Sequence, residues 1–125
     1  MTTERKYEWD NLVAGDHPRV TRGITIANGE GELARGSVLG KVTASDEYRL
    51  SASASSDGSE DVAVILAEDV DASASAVESV AYFSGEFNED RIILGDGHTL
   101  DAVRDPLRDL SIYLTPSVEA KEPQV

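Results

Sequence analysis

The side chains able to carry chemistry in this chain are carboxylates, serines and two histidines. Carboxylates dominate, and Glu60-Asp61, Glu68-Asp69 with Asp71, and Glu89-Asp90 are the candidate groupings. Two such acids can cleave a glycosidic bond when an apolar pocket holds one protonated while the other stays ionised. Each grouping lies at a strand end or in a loop of the expected fold, where solvated charge is the ordinary outcome. Calcium is the other use for clustered oxygens, and Glu68 to Asp71 is the best candidate for it. That stretch lacks the EF-hand spacing and the glycine its turn requires.

His17 stands beside a proline and His98 follows a glycine, and neither has a partner at metal-binding spacing. The chain has no cysteine, which removes disulfides, thiolate ligands and thiol nucleophiles. No serine occupies a GxSxG elbow. Gly29, Gly31, Gly36 and Gly40 lack both the GK[ST] ending of a phosphate loop and the spacing of a dinucleotide site, so they read as structural glycines. The expectation is a protein that is not an enzyme and needs no cofactor and no metal.

Positioning these groups falls to β elements. Two apolar runs, Val62 to Ala67 and Val77 to Phe83, are rich in β-branched and aromatic residues and predict paired strands. Asp57-Gly58 marks a turn before the first, and Ser84-Gly85 a bulge or bend in the second. Between them Glu68 to Ser75 is acidic and small, which predicts a solvated connection. Val20 to Ala27 alternates as a half-buried strand, and Asn28 to Glu32 turns it. Leu33 to Thr43 predicts a β segment interrupted at Gly36 and Gly40, Tyr48 to Ser53 a short strand, and Ser51 to Glu60 a surface loop. Thr99 is placed to cap a helix whose apolar positions are Leu100, Val103, Leu107 and Leu110, with a kink or junction at Pro106. Ser111 to Leu114 predicts a closing strand.

The fold class is therefore mainly β, a β-rich α+β domain with one or two short helices near the C-terminus and a flexible N-terminal arm. The expected divisions are an arm over 1–18, one β-rich domain over 19–117 and a tail over 118–125. The arm holds the only tryptophan, Trp9, with Tyr7, Leu12 and Val13. Large apolar groups in such a terminus are candidates for burial against the chain's own domain or a partner.

Net charge is −13, and it is uneven: residues 1–49 hold 7 Lys/Arg against 8 Asp/Glu, while 50–125 hold 4 against 16. An acidic body repels phosphate backbones, so no nucleic acid partner is expected. No apolar run approaches a membrane span and MTTERKYEWD lacks the apolar core of a signal peptide, so neither membrane association nor ordinary secretion is expected.

The succession of Asp57-Gly58, Ala63 to Leu66, Val80 to Phe83, Gly85, Phe87 and Asn88 to Arg91, joined by Leu33 to Val42, resembles the lambda-type head decoration proteins of tailed bacteriophages. A short helix followed by a closing strand is also the order in which that family ends. The resemblance implies a capsid decoration, or cement, protein made in the host cytoplasm and carried on the outer surface of the virion head. It implies a homotrimer seated on the major capsid protein, stabilising the expanded shell against internal DNA pressure. It further implies an arm that adds a strand to the shell protein's sheet, with Tyr7, Trp9, Leu12 and Val13 as capsid-contact residues. Tyr82, Phe83, Phe87 and Ile112 are candidates for the trimer interface and, with more weight, for the core. The alternative is a small β-domain ligand-binding module or a carboxylate-based hydrolase, which a ligand-induced rise in melting temperature would reveal.

Overall fold

A computed structural model describes residues 12–15 and 17–116. Its elements are β1 (Val20–Ile26), β2 (Gly31–Leu33), β3 (Val38–Lys41), β4 (Tyr48–Leu50), β5 (Val62–Leu66), β6 (Val70–Ala72), β7 (Val77–Asn88), α1 (Leu100–Asp109) and β8 (Ile112–Thr115). The main sheet runs β1-β4-β3-β5-β7-β8, and β1 also pairs with β7. That second pairing closes β1, β4, β3, β5 and β7 into a ring, a small barrel-like core that leaves few unpaired edges. The mainly β architecture is as the sequence predicts.

The ring sorts the apolar residues into two cores. Ile24, Ile26, Leu39, Tyr48, Val64, Leu66 and Ala81 come from all five ring strands and form one buried cluster, which Leu33 and Ala72 complete. Val38, Val62, Ile65, Tyr82 and Phe87 form the other, with Val103 and Leu107 of α1, Ile112 and Leu114 of β8, and Leu12. β5 feeds both because Val64 and Leu66 face the first cluster and Ile65 the second. Leu39 pairs with Val64 while Gly40 pairs with Val62, so the extra residue Ala63 shifts the alternation and puts Val62 in the second as well. Burial on both faces is the physical reason that VAVIL reads as a continuous apolar run rather than an alternating one.

β5 and β7 pair antiparallel through Ile65–Tyr82 and Leu66–Ala81, as expected. The segment between them differs from expectation. Val70–Ala72 forms β6, paired antiparallel with β2, and Ala72 is fully buried while Asp71 and Glu32 lie opposite one another and exposed. β2 likewise begins inside the predicted turn, at Gly31. The predicted surface loop Ser51 to Glu60 is exposed in part only, since Ser51 and Ser59 are buried.

β7 extends through Ser84-Gly85 to Asn88. Val20 pairs with Ser84 and Thr21 with Tyr82, which leaves Phe83 as the bulged residue one position before the predicted interruption. Beyond it, at Gly85 (φ +145), β7 exchanges β1 for β8 as its neighbour. α1 is one helix running through Pro106, not two joined turns. The Thr99 hydroxyl accepts from Ala102 N at 3.2 Å as its N-cap, and Val103 and Leu107 are its buried face. Leu110 is exposed and serves as the C-cap, its N–H donating to Leu107 O at 2.9 Å.

Candidate functional site

The capsid-contact candidates divide at residue 12. Tyr7 and Trp9 lie outside the described residues. Leu12 is 2% exposed and belongs to the cluster containing Tyr82 and Phe87, so its side chain is buried in this chain's own body. Val13 is half-buried and bridges Phe87 in antiparallel sense. Two backbone bonds hold the bridge: Ala14 N donates to Glu86 O at 2.8 Å, and Asn88 N donates to Leu12 O at 2.8 Å. Phe87 pairs on its other side with Leu114 of β8, so the end of β7 runs between residues 12–14 and β8.

The contacts continue along residues 17–20. The His17 ring meets Tyr113 of β8 edge-on at 4.8 Å between centroids. The Ser84 hydroxyl donates to Pro18 O at 3.0 Å and accepts from Val20 N at 3.2 Å. The predicted arm therefore includes a docked stretch, Leu12 to Ala14, laid antiparallel against β7.

Of the four aromatic and aliphatic candidates for an oligomer surface, three are core. Tyr82 is 7% exposed and Phe87 and Ile112 are 0%. Phe83 is half-buried, with the Arg22 guanidinium 5.9 Å from its ring centroid.

In each acidic grouping at least one carboxylate is engaged by other groups of the chain. Glu60 Oε1 accepts from Gly58 N at 2.9 Å and Glu68 Oε2 from the Ser79 hydroxyl at 3.1 Å. Asp69 Oδ1 accepts from Arg35 N at 2.8 Å, and Asp71 Oδ1 takes both the N–H and hydroxyl of Ser73. The Ser73 hydroxyl, then its N–H, lower the Asp71 pKa. Glu89 meets Arg104 of α1 at 2.9 Å as a charge contact without hydrogen-bond geometry. Among the described residues no group of three or more His, Asp or Glu is placed to hold a metal ion.

Two polar constellations join residues far apart in sequence. Ser51 Oγ lies 2.9 Å from His98 Nε2 and donates to Glu60 O at 3.2 Å. The Ser51–His98 pair fastens the turn before α1 onto the 51–60 loop. Arg49 forms the second, with Nε 3.0 Å from Glu30 Oε2 and a terminal nitrogen 2.9 Å from Asp57 Oδ2. Glu30 Oε1 also accepts from Leu50 N at 2.9 Å. Only the Asp57-Gly58 turn signal pointed toward this network.

Asp57 is held down to a pKa of about 2, first by the Ser59 hydroxyl, then by the Ser59 N–H, with Arg49 adding to the effect. A carboxyl whose folded pKa lies below its unfolded value adds stability above the unfolded pKa, and loses it as pH falls through the folded one. Between pH 4 and pH 2 the wild-type melting temperature should therefore fall, and Asp57→Asn should flatten part of that fall while melting lower at pH 7. Thermal melts of both proteins across that range provide the check; parallel curves would remove Asp57 from the acid transition.

A family model described as "Bacteriophage lambda head decoration protein D" matches residues 1–112, which takes in the N-terminal segment, the whole ring and α1. No curated protein matches the chain. With nine-tenths of its length under that one description, and a short helix followed by a closing strand in the order the resemblance implies, the chain belongs to the phage lambda head decoration protein D family.

Proposed function

We propose that this phage head decoration protein sits on the outer surface of the expanded head as homotrimers, binds the major capsid protein, and stabilises the shell against internal DNA pressure. The observation that carries this reading is the family match over residues 1–112, which includes the N-terminal segment with Tyr7 and Trp9. The charge supports it. Copies of a chain at −13 repel one another in solution and stay dispersed until a surface gathers them. Three linked contacts then convert weak individual attachments into tight binding through effective concentration. Shell contact is assigned to residues 1–11, because Leu12 is committed to the body.

Co-sedimentation with expanded, undecorated heads tests the proposal. The full-length protein should bind saturably, near three copies per threefold site. Deletion of residues 1–11 should weaken binding at least tenfold and leave the melting temperature unchanged. Wild-type binding by the deleted protein would remove the arm from the shell contact; no binding by either would overturn the decoration reading on these heads.

A further inference from the structure

Residues 12–14 do not simply lead from the arm into the barrel. They form a short antiparallel bridge with the end of β7, closed at both ends by backbone hydrogen bonds of 2.8 Å, Ala14 N to Glu86 O and Asn88 N to Leu12 O. Leu12 is the anchor of that bridge. Its side chain is 2% exposed, joins the core cluster of Val38, Ile65, Tyr82 and Phe87, and carries its Cδ1 over Gly36, where an added Cβ would lie 3.6 Å away. A Cβ at Gly36 would come within 2.8 Å of Arg91 O, whereas its 3.6 Å approach to Leu12 is ordinary packing contact. Behind the bridge the chain is tied down again, by His17 on Tyr113 and by Ser84 on Pro18 O and Val20 N.

From this geometry we infer that Leu12, Val13 and Ala14 are a clamp that fixes where the N-terminal arm leaves the body and in which direction it starts. The inference rests on the proposal that residues 1–11 contact the shell. A recognition strand held by its main chain gains affinity when its origin is fixed in advance, because less freedom is lost on binding. Without the clamp, the tether would run back to His17 and Pro18, the next residues held against the body. Leu12 is thus a positioning residue, acting on the shell through the residues that precede it.

Two insertions of the same eight-residue Gly/Ser segment separate this role from a merely structural one. Placed between Asn11 and Leu12, the segment lies between arm and clamp and frees the arm's origin. Placed between Gly15 and Asp16, it lies behind the clamp and leaves that origin where it was. The expected result on expanded, undecorated heads is about a tenfold loss of affinity for the first insertion, two- to threefold per arm compounded over three arms, and no loss for the second. Leu12→Ala should weaken head binding in the same direction, and Leu12→Met should restore most of it.

Equal losses from the two insertions would overturn the clamp, since position relative to residues 12–14 would then not matter. So would undiminished binding by the first insertion when deletion of residues 1–11 abolishes binding. If that deletion itself has no effect, the arm reading fails, and the clamp fails with it. Melting temperatures of both insertion proteins, expected within a few degrees of one another, keep a folding defect from being read as a binding one.

Discussion

Gly40→Ala should destabilise this protein by about 3 kcal/mol or more, enough to lower its melting temperature by roughly 10 °C in a chain of this length. A Cβ on Gly40 would lie 2.0 Å from Ser59 O, 2.6 Å from Ser59 C and 2.7 Å from Asp61 O. All three atoms are backbone, so no side-chain rotation makes room. Nor can the crossing loop withdraw cheaply. Ser59 N is held by Asp57 Oδ1 at 3.0 Å, Asp61 N by Gly58 O at 3.2 Å, and Glu60 O by the Ser51 hydroxyl at 3.2 Å. Moving the loop outward sacrifices these bonds; moving β3 inward disturbs the bulge opposite Ala63. The backbone of Gly40 is not in the left-handed region, so the whole penalty is one of space. Gly23→Ala is the control. It lies in β1 without a positive φ, and its Cβ would meet nothing closer than Ser79 O at 3.8 Å. Chemical denaturation of both variants checks the claim, and similar stabilities would show that the Ser59 loop yields.

This glycine illustrates how much of the fold the sequence carries. That Gly40 serves structure rather than phosphate binding follows from the missing motif around it, but which atoms crowd it depends on a loop some twenty residues away. The strands richest in β-branched and aromatic residues, β1, β5 and β7, are legible because their side chains declare a half-buried surface. β2 and β6 are not, since three residues each, with Glu32 and Asp71 at their centres, look like solvated turn sequence. Their alternation is present, Val70 and Ala72 inward and Asp71 outward, but one period of two is too short to stand out. The Arg49 network and the Ser51–His98 contact escape for a different reason. Only ring closure and the docking of the turn before α1 bring these residues together. The arm shows the remaining limit. A segment that binds through its main chain has the same composition whether it completes its own sheet or another, so Leu12 and Tyr7 look alike in sequence although Leu12 is spoken for by its own core.

That distinction sets up the other large effect, at Phe87. Phe87→Ala should cost about 3–5 kcal/mol, the range for removing a fully buried aromatic ring. The side chain is 0% exposed, packs against Tyr82 with centroids 5.2 Å apart, and occupies the space kept free by Gly85, where a Cβ would come within 2.8 Å of its ring. Its backbone is also the middle of the layer formed by Val13, Phe87 and Leu114. Truncation therefore empties the core on which Leu12 rests and loosens the strand that residues 12–14 pair with. Ile26→Ala provides the comparison, for Ile26 is equally buried but lies inside the ring, pairing with Val77 at the opposite end of β7. It should cost a similar amount, about 2–5 kcal/mol. Measured well below both melting temperatures, head binding should fall for Phe87→Ala and stay at the wild-type level for Ile26→Ala. If the two variants bind alike, stability alone governs decoration, and the junction of β7 with residues 12–14 has no separate part in presenting the arm.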